Sequence, residues 1–248
     1  MFGTNPIRKV DDSTDSLLVH SLFPTMQGEG PFAGRRAVFL RLAGCSLACS
    51  WCDTEFEQDS HRIPNEALSN LVRNEGLGIG MQNLCVITGG EPMRQNLSPL
   101  CRVLLKAGWQ VQIETAGIHW PPGLDELEEY LIPIEGDPQL TIVCSPKTPK
   151  LNPYVEQYCW HYKYIIDADE PAADDGLPLY AVSQAHKKNT GMMFRPAGTP
   201  HRRNIFVQPL HYHEDQDHTQ RNINRCVELV LEKGYRLSLQ THKILGLP

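Results

Sequence analysis

Short apolar runs rich in β-branched and aromatic side chains recur along the chain, separated by stretches whose apolar positions repeat at helical spacing. "LLVHSLF" (17–23), "AVFLRLAG" (37–44), "LCVIT" (84–88), "WQVQIET" (109–115), "LTIVCSP" (140–146), "YKYIID" (162–167) and "NIFVQPL" (204–210) predict strands. "ALSNLVRNEG" places Leu68, Leu71 and Val72 on one helical face, with Gly76 as its stop. "LSPLCRVLLKAG" brings Leu97, Leu100, Cys101 and Leu104 to one face and ends at Gly108. Asp217 is placed to cap a later helix that carries Ile223, Val227 and Val230 on one side. "YRLSLQ" (235–240) alternates and predicts a closing strand.

Strands punctuated by helices predict parallel βαβ units and an α/β architecture. No stretch has the composition of an interdomain linker, so the expectation is one domain over 17–248 behind a flexible lead of residues 1–16. Residues 120–138, rich in Pro, Glu and Asp, and 167–177, rich in Asp and Ala, read as surface excursions.

Composition narrows the class. The 248 residues are 41% apolar and 21% charged, as in a globular enzyme, and suffice for a sizeable core. A net charge of −6 gives no global reason to expect nucleic acid or an anionic membrane as partner. No apolar run approaches a spanning helix, and "MFGTNPIRKVDDSTDS" lacks a signal-peptide core, which predicts a cytoplasmic protein. In that compartment thiols stay reduced, so clustered cysteines point to metal or redox chemistry rather than to disulfides. Of the eight cysteines, Cys85, Cys101, Cys144, Cys159 and Cys226 are scattered in apolar surroundings and read as small buried hydrophobes.

Cys45, Cys49 and Cys52 in "GCSLACSWCDTEF" are different, with three thiols in eight positions just after a predicted strand. Structural zinc takes four protein ligands, usually as two separated pairs, and no second pair accompanies this triplet. A [4Fe–4S] cluster held by three thiolates leaves one iron open to bind and activate a small molecule. A βα loop is also where α/β folds build their sites. Zinc stays the alternative on spacing alone.

The C-x3-C-x2-C spacing with Trp51 before the last cysteine resembles the radical S-adenosylmethionine superfamily, and "TGGEP" (88–92) after a buried strand resembles that superfamily's glycine-rich stretch. "MQGEGPFAGRRAVFLRLAGCSLACSWCDTEF", "ETAG", "CSPK" and "LQTHKILGLP" narrow the resemblance to the 7-carboxy-7-deazaguanine synthase family, from about Ser21 to Pro248. The resemblance implies a compact, partial (β/α) barrel with a parallel sheet. It also implies a [4Fe–4S] cluster whose open iron chelates S-adenosyl-L-methionine, and reductive cleavage to a 5′-deoxyadenosyl radical. The implied reaction turns 6-carboxy-5,6,7,8-tetrahydropterin into 7-carboxy-7-deazaguanine with loss of ammonia, on the route to queuosine. A magnesium ion, a flavodoxin-type electron donor and a homodimer belong to the same expectation.

Residue by residue, the resemblance assigns Cys45, Cys49 and Cys52 to the cluster and Thr54 to magnesium. Trp51, Cys52, Asp53, Gly90, Ser145, Pro146, Lys147, Gln208 and Pro209 would hold S-adenosylmethionine. Met26, Gln27, Gly28, Glu29, Arg41, Thr88 and the carboxylate of Pro248 would bind the pterin, with His242 nearby and no catalytic side chain beyond cluster and cofactor. Some of these carry a physical argument of their own. An amide and a carboxylate at Gln27 and Glu29 suit a ring edge bearing donors and acceptors, although a polar turn would use them too. Arg41 sits on an otherwise apolar strand, where a guanidinium is costly unless paired; a substrate carboxylate or a structural salt bridge would satisfy it.

"HYHEDQDH" gathers His211, His213, Glu214, Asp215, Asp217 and His218, but acidic residues are expected where a helix begins, and a solvated loop is the simpler reading. Two other functions stay open on these residues. A glycyl-radical activase would share the triplet without needing "QGEG", and a non-enzymatic metal-binding module would need only the thiols.

Overall fold

The computed structural model describes residues 5–49, 51–77, 83–133, 135–180, 192–197 and 204–247. Its strands are β1 Ser16–Met26, β2 Arg36–Leu42, β3 His61–Pro64, β4 Leu84–Gly89, β5 Gln110–Thr115, β6 Leu140–Cys144, β7 His161–Ile166, β8 Ile205–Pro209 and β9 Arg236–Leu237. The helices are α1 Asn65–Leu77, α2 Ser98–Lys106, α3 Glu128–Leu131, α4 Pro153–Tyr158, α5 Gln216–Lys233 and α6 Thr241–Leu245. All nine strands join one open sheet in the order β3-β1-β2-β4-β5-β6-β7-β8-β9. β1 runs antiparallel to β2 and β3, and from β2 onward every pairing is parallel. The partial (β/α) barrel implied by the resemblance is the fold, with the expected parallel sheet extended by an antiparallel edge of β1 and β3.

Side chains alternate across each strand, and the two faces have different fates. Val38, Leu40, Leu42, Cys85, Ile87, Val111, Ile113, Leu140, Ile142, Cys144, Tyr162 and Tyr164 pack in the main core with Leu68, Val72, Leu100, Cys101 and Leu104 of α1 and α2. Each fully buried leucine contributes about 1.5–3 kcal/mol. On the opposite face a small plug of Phe32, Ala37, Leu84 and Val86 fills one end. Beyond it the inward positions Arg41, Thr88, Glu114, Lys163 and Gln208 turn polar and line cavities instead of core. Polar residues on inward strand positions mark where packing gives way to a site.

Several local expectations are corrected. α1 ends at Leu77, one residue past Gly76, and Gly76 lies in its last turn, where a Cβ would come within 2.3 Å of the Trp109 ring. Leu71 faces out at 44% exposure. The cap of α5 is Asp215, which accepts from the His218 N–H at 2.8 Å, and not Asp217. The buried stripe of α5 is Thr219, Asn222, Cys226 and Leu229, so Val227 is exposed and Ile223 only half-buried. Residues 120–138 are no surface excursion: Leu124, Leu127 and Leu131 enter the core from a 3-10 turn and α3, making this the crossover between β5 and β6. "YRLSLQ" yields a two-residue strand, both residues exposed, before α6. Residues 5–15, read as part of a flexible lead, run along the cysteine loop: Arg8 N–H donates to the Cys45 carbonyl at 2.7 Å, and Asp11 N–H to that of Arg94 at 2.8 Å.

Candidate active site

The carboxyl ends of β4 to β8 open into a cavity of about 210 Å3. Cys45, Cys49, Cys52, Trp51, Asp53 and Thr54 come to it from the loop after β2. That loop is held from below. Arg94, itself buried, donates to the carbonyls of Ala43 at 3.0 Å and Lys9 at 2.7 Å, and Ser46 Oγ donates to that of Arg8 at 3.2 Å. The glycine pair has a packing reason of its own. Gly89 has φ +123, and a Cβ on Gly90 would lie 2.2 Å from the Gly44 carbonyl oxygen. Only without side chains can the two backbones meet, through Gly90 N–H to Leu42 O at 3.1 Å and Glu91 N–H to Gly44 O at 3.0 Å. "TGGEP" thereby fixes the cysteine loop as well as facing the cavity.

The chemistry of the three thiols bears on which metal they would hold. Burial pushes the Cys45 thiol up to about 12, so a thiolate there needs a strong cationic partner. Among the described residues, Asp167, Asp169 and His218 converge within single-ion distance, whereas the three sulfurs are not such a set. Thiols spread around one cavity wall suit a multi-iron cluster better than one zinc ion. The residues fit the cluster.

Other walls come from the strand ends. Lys147 Nζ donates to Ser145 Oγ at 2.6 Å and stands 5.0 Å from the centroid of the Trp51 ring. Burial holds its pKa below the ordinary lysine value. Glu91 is buried but satisfied by Met93 N–H at 3.1 Å, Thr115 Oγ at 2.6 Å and Ala116 N–H at 2.7 Å. In an adjoining recess Gln27, Glu29, Arg41, Thr88, Glu114, Gln240 and His242 converge. Glu114 accepts from Gln27 Nε2 at 3.0 Å, Thr88 Oγ1 at 3.0 Å and Gln112 Nε2 at 2.8 Å. Glu29 accepts from Lys163 and, at 2.8 Å, from Gln240. Burial alone would raise the Glu29 carboxyl, but Lys163 outweighs it and holds the pKa below the usual range. Burial likewise opposes charge on Lys163, and Glu29 followed by Glu114 keeps its pKa above the ordinary value.

Arg41 is the exception in this well-satisfied wall. Its Cζ lies 5.4 Å from the Phe23 ring centroid, and its buried Nε has no hydrogen-bond partner among the described residues. No carboxylate among the described residues is within ion-pair distance of it. The structural salt bridge weighed against a ligand is thus not seen.

Most residues singled out in the sequence line one of these two connected spaces. Met26, Gly28 and Pro146 are not among the residues lining them, and Pro248 lies outside the described residues. Gly28 instead anchors α6, since its carbonyl accepts from Thr241 N–H at 3.2 Å and a Cβ there would strike the His242 ring. Asp53, assigned to the cofactor by resemblance, is tied to Lys243 and, at 3.2 Å, to Gln240. Burial would raise its carboxyl, but Lys243 and then Gln240 outweigh that and hold it at about 2. Sequence reading passed over Glu114, Lys163 and Gln240. Each stood in a quoted stretch ("ETAG", "YKYIID", "LQTHK"), and the polar residue at an inward strand position was the signal available for the first two.

The "HYHEDQDH" stretch is not simply a solvated loop. His218 Nε2 pairs with the buried Asp167 at 2.7 Å, Tyr212 OH donates to the same carboxylate at 2.8 Å, and Arg221 reaches Asp169 at 3.0 Å. The three groups that converge here are thus already paired, and His211 alone of the stretch's three histidines lines the cavity.

A three-thiol loop packed on a glycine pair at the mouth of a partial (β/α) barrel defines an enzyme of the radical S-adenosylmethionine class. No family model matches the chain, but relatives that carry a name do. The 7-carboxy-7-deazaguanine synthase of Rhodospirillum rubrum is 40% identical over 99% of both chains. That of Rickettsia prowazekii is 38% identical over 100% of this chain and 96% of its own. The crystal structure of QueE from Escherichia coli superposes with a TM-score of 0.62 over 90% of this chain and 93% of that one, at 23% identity. The chain belongs to the 7-carboxy-7-deazaguanine synthase family.

Proposed function

We propose that this enzyme converts 6-carboxy-5,6,7,8-tetrahydropterin to 7-carboxy-7-deazaguanine with release of ammonia, in queuosine biosynthesis. The observation that carries the reading is Arg41, a half-buried guanidinium facing a recess with no carboxylate paired to it among the described residues. A planar fork of donors suits the carboxylate of the pterin bidentately. Around it, Glu29 and Glu114 accept from ring and amino N–H groups, Thr88 adds a hydroxyl, and Gln27, whose amide donates to Glu114, orients that carboxylate.

Cys45, Cys49 and Cys52 would hold a [4Fe–4S] cluster, and that cluster with S-adenosylmethionine would supply one-electron radical chemistry for the reaction. Trp51, Gly90, Ser145, Lys147, Gln208 and Pro209 surround the space between cluster loop and recess, which suits the cofactor. Lys147 would offer a cation to the cofactor's carboxylate, with the Trp51 ring as an apolar face beside it. Thr54 and a substrate oxygen are a hard-oxygen set for magnesium. The same reading extends to a flavodoxin-type electron donor, a homodimer and a cytoplasmic location; among the described residues no helix is long and apolar enough to cross a membrane.

The test is an anaerobic incubation with 6-carboxytetrahydropterin, S-adenosylmethionine, dithionite and magnesium, followed by mass analysis. A product lighter than the substrate by the elements of ammonia, with the deazapurine absorbance, is expected. Cleavage of S-adenosylmethionine that ignores the pterin would overturn the substrate assignment.

A further inference from the structure

Lys163 is 8% exposed, projects inward from β7 between the core-facing Tyr162 and Tyr164, and lines the cavity. Its ammonium donates to Glu29 Oε2, while Gln240 Nε2 donates to Glu29 Oε1 at 2.8 Å. The Glu29 N–H donates to Gln27 Oε1 at 3.0 Å, fixing its backbone. One carboxylate is thus gripped through both oxygens, by a donor on β7 and by one from the residue just before α6. An ionised carboxylate has about four acceptor positions, so two remain for a ligand in the recess. A buried ion pair is weak evidence for stability, because desolvation offsets the attraction. Facing a cavity, the pair has a different use.

We infer that Lys163 is a positioning residue that holds the Glu29 carboxylate ionised and aimed at the pterin. The inference rests on Glu29 being a substrate contact, as in the function proposed above. Lys163 acts through Glu29 and does not itself touch the substrate.

The experiment titrates 6-carboxytetrahydropterin into unreduced, cluster-loaded protein and measures substrate Kd and, separately, kcat. Glu29→Gln, Lys163→Met, the double variant and Lys163→Arg are compared, with iron content and S-adenosylmethionine affinity as controls for folding. Each neutralising variant should weaken pterin binding roughly tenfold or more, the worth of one charge-assisted hydrogen bond. The double variant should bind no worse than the weaker single one, because the two residues form one unit. Lys163→Arg, keeping the cation, should recover most of the affinity. Where Lys163→Met does not fold, Lys163→Gln takes its place. Unchanged affinity in Lys163→Met, or losses that add in the double variant, overturns the positioning role while leaving Glu29 as a contact. Unchanged affinity in Glu29→Gln removes Glu29 from the substrate site and this inference with it, and product formation in the anaerobic assay then decides the reaction independently.

Discussion

Arg41 and the three cysteines are the residues whose surroundings make least sense without a ligand. A guanidinium whose Nε is buried and unpartnered among the described residues is an expensive way to fill a strand position. Arg41→Ala should therefore cost the free protein little stability and weaken pterin binding by roughly 2–5 kcal/mol, with S-adenosylmethionine affinity unchanged in a parallel calorimetric titration. Alanine at Cys45, Cys49 or Cys52 should abolish the bound cluster, read as iron and sulfide per chain after anaerobic reconstitution; full occupancy in any one variant would refute the assignment. Both sites are legible in the sequence because a charge on an apolar strand and a tight thiol spacing are local signals. The pairing of Lys163 and Gln240 with Glu29 is not legible, although the lysine on an apolar strand is itself a local signal: Glu29 is 134 and 211 residues away, and no local spacing encodes a contact made by closing a sheet.

At the level of the element, alternation and helical spacing expose the central strands and α2, while short or crossover elements escape. β3 is four residues with mostly exposed side chains, and the segment 120–138 hides Leu124, Leu127 and Leu131 among prolines and acids. Glycine near the end of a helical pattern usually punctuates it, whereas Gly76 lets α1 approach Trp109. Alanine at an ordinary helix interior gains up to about 1 kcal/mol over glycine, but overpacking a filled core costs about 1–3 kcal/mol, so Gly76→Ala should lower stability in a denaturant titration. Asp167 ties the end of β7 to α5. Burial would raise its carboxyl, yet Tyr212 and His218 outweigh that and hold it below the ordinary 3.8. A depressed carboxyl stabilises fully above the ordinary range and loses that contribution as pH falls through the folded-state value. Asp167→Asn should melt about 2–8 °C below the parent at pH 7, and the gap should narrow toward pH 3 in scanning fluorimetry.

For the molecule as a whole, the cysteine loop is a surface shared by both ends of the chain. Arg8 pairs with Glu57 at 2.8 Å and Arg62 with Asp11 at 2.7 Å, while Lys243 and Gln240 reach Asp53 from the other side. Removing residues 1–12 should leave the sheet folded but speed loss of iron on anaerobic gel filtration relative to the full chain. Equal retention would show that the leading segment merely rests there.

That arrangement has a consequence in time. The contact between Asp53 and Gln240 spans 187 residues, and chains are synthesised at about 5–20 residues per second. By that rate the thiol loop emerges about 10–40 s before the residues that clamp its Asp53 exist. During that interval Asp53 lacks its partners Lys243 and Gln240, and the loop that carries the three cysteines is correspondingly freer. The order of the genetic message thus gives every new molecule an interval in which the thiol loop is braced by the leading segment, before Gln240 and Lys243 clamp Asp53 from the other side.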